Sequence, residues 1–437
     1  MVLAPFASNA VSSAPRVLVL GAQGFLGRHF VATLREAGCT VIEGVRRATQ
    51  TRQIAVDFTR DREPEVWRAR LQGIDVVVNA VGILREQAAT PFAAVHQEAP
   101  IALLRACERV GVQRFIQISA LGICEDASEE PLAYFASKAA ADRALLASTL
   151  AVTVVRPSLV FGLDGASSRS FLAAASLPVQ LLPGEGEQPV QPLHVDDLCA
   201  LVLRLVTMTD TPPRLIHAVG PRPLGFAQML AVYRANLGLP APVQFGLPMA
   251  WVRLVVRLAE YLPQRVVARE TLAMLERGNT ADPQPLIAML GRAPRPPEAF
   301  IAAAEREGAR HCANALWLQP LARLALAVLW LVSGLLGLFF ADAMVAGWLA
   351  RLGLDPGAAT VVRVSASIFD LALAALSLAW PRRTLWLAQL WLIAVYTPLA
   401  TIAAPEAWLH PFGPLLKNLP IVVLLLWLWA NTPARKS

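Results

Sequence analysis

At 437 residues, 55% hydrophobic and only 16% charged, the chain is too long for one ordinary core and too apolar for a purely water-soluble globular protein. Its net charge of +7 is dispersed, with no run of Lys and Arg interleaved with aromatics, so no nucleic-acid partner is expected. The five cysteines (Cys39, Cys107, Cys124, Cys199, Cys312) are scattered without a C-x-x-C pair or a histidine at ligand spacing, so neither a disulfide framework nor a metal site is expected.

Residues 1–15 read as a tail lacking the basic start and apolar stretch of a signal peptide, which leaves the soluble part in the cytoplasm. Residues 16–162 read as one domain. The run R-V-L-V-L at 16–20 suits a buried parallel strand, and a helix from about 25 to 37 follows it. Further strands are expected at 40–45, 53–56, 74–79, 114–119 and 152–157, with helical stretches between several of them. That alternation predicts an α/β, doubly wound parallel sheet of the Rossmann type, with all carboxyl ends of the strands, and therefore the ligand, on one edge.

Between the first strand and first helix stands G-A-Q-G-F-L-G, with glycines at Gly21, Gly24 and Gly27. The first permits a tight turn, the second lets the backbone approach a pyrophosphate, and the third lets helix and strand pack closely. The free N–H groups of the helix's first turn, at Phe25 and Leu26, would then meet the phosphates. At the end of the second strand, V-I-E-G-V-R-R puts Arg46 and Arg47 where an NAD-specific site usually has a carboxylate. Arginine suits a 2′-phosphate, so NADP(H) is preferred over NAD(H), with Glu43 a few residues early and read as a strand residue. Asp57, ending the third strand, is a candidate acceptor for the adenine amino group; Asn79, Ala80 and Val81 end the fourth strand beside the cofactor.

Residues 163–310 are less regular, with Pro-rich turns and amphipathic helices, and read as a small substrate domain folded over the sheet. Within it, residues 249–262 carry Trp251, Leu254, Val255 and Leu258 at helical spacing with Arg253 and Arg257 offset from them. Two readings stand: a membrane-surface helix, or a core-facing helix with solvated arginines. Pro294-Arg295-Pro296-Pro297 breaks the chain before a last soluble helix.

From 318 to 437 Leu, Ala, Val and Trp dominate, and four apolar segments (about 321–340, 360–380, 384–404 and 415–431) approach the length of a membrane span. Eight basic residues stand there against four acidic ones. Arg382 and Arg383 fall between the second and third segments, and Arg435 and Lys436 after the fourth. The positive-inside rule then puts both ends and the middle loop in the cytoplasm of a bacterial-type inner membrane. Asp370 and Lys417 are ionisable groups in or at the edge of spans; Lys417 reads equally as snorkelling or functional, and Asp370 calls for a partner such as Arg363, Arg323 or Lys417.

The chemistry is carried by Tyr134-Phe135-Ala136-Ser137-Lys138, with Ser119 ending a strand before it. Four residues apart on a helix, Tyr134 and Lys138 share a face, where an ammonium would lower the phenol's pKa and make it a usable proton donor or acceptor in carbonyl–alcohol chemistry. With four tyrosines and three lysines in the whole chain, this spacing seldom arises by chance.

Together the glycine motif, Ser119, Tyr134, Lys138, V-V-R-P-S-L-V-F-G around Arg156 and Pro157, and L-H-V-D-D-L around His194 and Asp196 resemble the extended or atypical short-chain dehydrogenase/reductases over about residues 16–305. The resemblance implies that Tyr134 is the general acid/base and that Ser119 bonds the reacting oxygen. It further implies that Lys138 holds the nicotinamide ribose and tunes Tyr134, that Pro157 lies beside the cofactor, and that His194 is structural. The stretch N-T-A-D from Asn279, followed by L-I-A-M-L-G-R-A-P-R, is similar to relatives of the accessory dehydrogenase-like subunit of respiratory complex I, some of which keep a nucleotide without turning over substrate. W-L-H-P-F-G-P-L-L-K-N-L-P-I at 408–421 and the four-span layout resemble the DoxX-like membrane family, which implies an all-α four-helix transmembrane domain at 318–437.

The expectation is a membrane-anchored NAD(P)H-dependent oxidoreductase or epimerase-type enzyme. Its partners would be the lipid bilayer and a small lipophilic substrate (a quinone, isoprenoid or sterol-like molecule). The alternatives are a nucleotide-binding scaffold, sensor or assembly factor for a membrane redox complex, and a sugar-nucleotide epimerase.

Overall fold

A strand buried on both faces needs apolar side chains pointing both ways, and Val17, Leu18, Val19 and Leu20 supply them. The computed structural model, which describes residues 14–123, 132–259, 269–340, 342–409 and 415–433, places this run at the centre of a seven-stranded sheet. The strands are β1 (Arg16–Leu20), β2 (Thr40–Val45), β3 (Gln53–Ala55), β4 (Val76–Asn79), β5 (Arg114–Ile118), β6 (Ala151–Pro157) and β7 (Leu215–Ala218). All neighbours are parallel, in the order β7-β6-β5-β4-β1-β2-β3. The six expected strands are present to within two residues of their expected bounds, and β7 adds an edge that the apolar pattern did not announce.

The helices of this unit are α1 (Phe25–Glu36), α2 (Glu65–Arg68), α3 (Ala99–Val110), α4 (Ala133–Ala147), α5 (Ala166–Ser176), α6 (Val195–Thr207), α7 (Phe226–Asn236), α8 (Met249–Ala259), α9 (Arg269–Arg277) and α10 (Gln284–Leu290); α1, α6 and α10 cover one face of the sheet and α2, α3 and α4 the other. Val17 and Val19 pack with Phe30 of α1 and Leu201 of α6 on one face, whereas Leu18 and Leu20 pack with Trp67 and Leu103 on the other. The chain leaves β1 outward through β2 and β3, then returns to β4 on the opposite side, so the carboxyl ends of β1 and β4 flank the point where the winding reverses. In such sheets a ligand crevice opens there.

Helices from Arg306 onward make up the rest: α11 (Arg306–Phe339), α12 (Asp342–Arg351), α13 (Pro356–Ala379), α14 (Arg383–Ala403) and α15 (Asn418–Asn431). The chain divides into two compact units, residues 1–313 and 314–437. In the second, Asp355 caps α13 by accepting from the N–H groups of Gly357 and Ala358, with Pro356 at the first helical position. Glycine lets α11 and α13 approach closely, since a Cβ on Gly337 would stand 2.3 Å from Ser367 Oγ. Among the described residues, three helices, α11, α13 and α14, are long and apolar enough to cross a membrane. The fourth expected segment is the apolar helix α15, whose 14 residues span about 21 Å at 1.5 Å per residue, against a hydrocarbon core of about 30 Å.

Ser333 donates to one Asp370 oxygen at 2.7 Å, and Arg363 donates to the carbonyls of Gly337 and Leu338 at the end of α11. Cys124, residues 260–262 and 410–414, Arg435 and Lys436 lie outside the described residues.

An added Cβ on Gly27 would stand 2.1 Å from the Gly21 carbonyl oxygen. Gly27→Ala therefore forces α1 away from β1 and is expected to cost about 1–3 kcal/mol, read as a lower Tm with weakened nucleotide binding. Wild-type melting and binding would mean that α1 has room to shift.

Candidate functional site

At the reversal point, Gly21 turns with φ +73°, and its missing Cβ would meet the Ala80 carbonyl oxygen at 3.0 Å. Gly24 ends the turn with its own N–H on the Gly21 carbonyl, leaving the first N–H groups of α1 open at Phe25 and beyond. Beside this turn lies a cavity of about 300 Å³ lined by Gly21, Gly24, Arg46, Asp57, Val81 and Gly82 among others. A phosphate-bearing dinucleotide fits this glycine cradle, because any larger residue at Gly21 would clash with Ala80 in a backbone conformation that glycine alone adopts readily.

Arg46 is exposed on the cavity wall. Glu43 is engaged elsewhere: Arg35 binds one of its oxygens at 2.6 Å and Gln53 donates to the other at 3.1 Å. Asp57 accepts from the backbone and hydroxyl of Thr59, and those bonds hold its carboxyl below the usual range. Asn79 accepts from the Val81 N–H and donates to Gln117, which fixes the strand end behind the cavity.

A second cavity of about 370 Å³ is lined by Ser119, Tyr134 and Pro157 and otherwise chiefly by apolar side chains, Phe25, Leu26 and Phe171 among them. Among the described residues, no charged side chain lines it. The predicted site residues thus divide. Gly21, Gly24, Arg46, Asp57 and Val81 face the first cavity; Ser119, Tyr134, Pro157, Phe25 and Leu26 face the second. Gly27, Asn79 and Ala80 support the walls from behind, and Lys138 Nζ reaches toward Gly82, 3.9 Å from where its Cβ would be.

Sequence reasoning passed over two groups that hold these residues in place. Asp142, one turn beyond Lys138 on α4 and 1% exposed, accepts from Ser119 Oγ at 3.0 Å and from Arg156 Nε at 2.9 Å. Burial raises the Asp142 carboxyl, against the lowering by Arg156 and Ser119. His96, 2% exposed, sits in a π-helical turn (Ala93–Glu98) ahead of α3. Its Nε2 accepts from the Ile83 N–H at 3.1 Å, which leaves Nδ1 to donate to Ser137 Oγ at 3.2 Å, and Ser137 donates to the Tyr134 carbonyl. The ring also lies edge-on to Tyr134 at 5.3 Å. Burial, aided by the Lys138 charge, pushes His96 down to about 2, so it is neutral at ordinary pH.

The expected lowering of the Tyr134 phenol is corrected. Tyr134 is 5% exposed, and burial raises its pKa. Lys138 Nζ lies 5.6 Å from the ring centroid and is itself lowered to about 8 by burial, with Asp142 opposing. Desolvation outweighs the ammonium in this arrangement. His194 is structural, as expected: its Nδ1 accepts from the Asp196 N–H at the start of α6. The late stretch clamps the same turn, with Arg292 on Asp197 at 2.6 Å and Arg295 on Asp196 at 2.9 Å. Asn279 accepts from the Leu159 N–H on the wall of the second cavity.

Residues 17–219 match the NAD dependent epimerase/dehydratase family, and residues 327–426 match the DoxX-like family. A ceramide reductase of Caulobacter vibrioides is 30% identical over 207 residues, 45% of this chain and 61% of that protein. The mitochondrial NADH-ubiquinone oxidoreductase 40 kDa subunit of Neurospora crassa is 25% identical over 250 residues, 54% of this chain and 64% of the subunit. The chain therefore spans less than two thirds of either relative. Among solved structures, UDP-N-acetylglucosamine 4-epimerase from Bacillus cereus superposes with a TM-score of 0.50 at 14% identity, covering 69% of this chain and 99% of the epimerase, a likeness of fold alone.

Two outcomes test the supports. Arg156→Met strands a buried carboxylate and is expected to destabilise by about 3–5 kcal/mol, with much of the loss recovered when Asp142→Leu is added; an unchanged Tm in the single variant would mean that the pair holds nothing. Below pH 6.5 the unfolded chain protonates His96 while the folded chain refuses the proton, so stability should fall as pH drops, by about 1.4 kcal/mol per unit for this group. Equilibrium unfolding one unit either side of that value should show a shallower slope in His96→Gln than in wild type.

Proposed function

We propose, from residues 17–219 forming a domain of the NAD dependent epimerase/dehydratase family joined to a DoxX-like domain, that this chain is a membrane-anchored oxidoreductase. It acts on the carbonyl or secondary alcohol of an uncharged, lipophilic substrate. The observation that carries this reading is the second cavity: the Ser119 and Tyr134 hydroxyls line a space of about 370 Å³ that, among the described residues, no charged side chain lines. A nucleotide-sugar diphosphate would need cations there, which argues against the sugar-nucleotide alternative.

A bound nicotinamide dinucleotide supplies or accepts the hydride. Tyr134 donates the proton to the carbonyl oxygen, or takes it from the hydroxyl in the reverse direction. Ser119 orients that oxygen, exchanging its bond to Asp142 for one to substrate. Lys138, lowered to about 8, carries a proton that is readily released near neutral pH, next to Gly82 on the nucleotide side. Closing this apolar space excludes water from the reacting atoms. Arg46 on the wall of the first cavity favours NADPH over NADH by offering a cation to a 2′-phosphate. The quinone, isoprenoid and sterol-like classes all meet the cavity's requirement, and the three membrane-length helices put such molecules within reach.

One observation favours a second reading, a nucleotide-holding scaffold or sensor for a membrane redox complex: Ser119 already bonds Asp142, and the Tyr134 phenol is raised by burial. A single-turnover assay separates the two. Detergent-purified protein loaded with NADPH is mixed with a lipid extract of host membranes, and nicotinamide absorbance is followed beside Tyr134→Phe. The expected result is loss of absorbance in wild type only, at least about 100-fold faster than in the variant, with nucleotide affinity nearly equal. Unspent NADPH in both would overturn the enzyme reading.

A further inference from the structure

The amphipathic helix α8 resolves its two sequence readings in an unexpected way. Val256 is buried at 6%, yet Trp251, Leu254, Val255 and Leu258, the wide apolar stripe, are exposed at 62, 42, 58 and 60%. The core-facing reading is therefore corrected, because the helix packs by its narrow side and turns its larger apolar face outward. The strand leading into it, Val243–Leu247, pairs in parallel with Val179–Pro183, so that Phe245 lies opposite Leu181. These two are exposed at 55 and 62%, while Gln180 and Leu182 on the other face are buried. Pro248 alone separates the strand from the helix, so two exposed apolar faces follow one another directly in the chain.

A patch of this kind on a soluble domain marks something that covers it. We propose that it rests on the bilayer surface, so that the unit of residues 1–313 is itself a lipid-docked body and not merely tethered by spans. Three features commit the patch to lipid. Among the described residues the same chain carries three helices of membrane-crossing length, which keeps a bilayer at high effective concentration near this unit. Trp251 on the apolar stripe suits the headgroup boundary, where an indole has both an apolar and a wet side. Arg253 and Arg257 flank the stripe one turn apart, where an interfacial helix meets anionic headgroups. Arg253 also pairs with Glu276 of α9, the helix whose Met274 lines the second cavity, so the docked face adjoins a wall of that cavity.

This inference rests on the membrane reading of α11, α13 and α14 but not on chemistry at Tyr134. The test uses the full chain in nanodiscs of mixed neutral and anionic phospholipid, with Cys312→Ser and Cys124→Ser and single nitroxide labels introduced by Val255→Cys, Leu258→Cys, Glu36→Cys or Ile368→Cys. Collision with oxygen reports lipid, and collision with a water-soluble nickel chelate reports solvent. Labels at 255 and 258 should collide several-fold more with oxygen than with nickel, as the label at Ile368 on α13 does, while the exposed helix position Glu36 favours nickel. Nickel access at 255 and 258 would leave the patch in water, and low access to both reagents would put a second copy or another protein surface over it; either outcome overturns docking alone. Oxygen preference missing at 368 would overturn the spanning reading and docking with it.

Discussion

A carboxylate almost wholly removed from water is tolerable only beside a counter-charge, and the Asp142–Arg156 pair is the constraint on which the arrangement at the sheet edge depends. Asp142 belongs to α4, Arg156 to β6, and the Ser119 hydroxyl that completes the cluster follows β5. One buried charge thus sets the height and rotation of α4 over two strands. Tyr134 and Lys138 are two and one helical turns before Asp142, so their positions follow from that anchor through the rise of the helix.

A second tie acts from the other side. His96 draws together the loop after β4, the π-helical turn and the start of α4 through neutral hydrogen bonds. Gly82, on the wall of the nucleotide cradle, is close to both Lys138 and His96. The tie is polar but uncharged, whereas the first is ionic. Each suits its place: the ionic one lies deep behind the strands, and the neutral one lies beside a lysine whose charge opposes any protonation of the ring.

Much of the first unit was legible because buried parallel strands are written as unbroken apolar runs and turns at phosphates are written in glycine. β7 was not, since Leu-Ile-His-Ala is short and includes a polar residue at the sheet's edge. Motif reading placed Tyr134, Lys138 and Ser119 near one another but missed Asp142, an acidic residue in an alanine-rich helix outside any motif. His96 left no local signal, because its role comes from partners on other segments of the chain. The phenol's pKa was misjudged for a related reason: helical spacing reports which groups are close, but desolvation depends on everything packed around them. In the second unit hydropathy found the apolar helices, because long runs of Leu, Ala, Val and Trp announce them without any motif.

A cavity without a charged wall also limits what kind of selectivity the proposed enzyme can have. Charged or multiply hydrogen-bonded ligands are recognised sharply, because each missing partner leaves a buried polar atom stranded. Apolar contact is graded, with about 0.8 kcal/mol per buried methylene, so neighbouring members of a homologous series differ only a few-fold. A site of this sort would process a family of related lipids at rates set by chain length and membrane abundance, and its product would leave by partitioning back into the phase from which the substrate came.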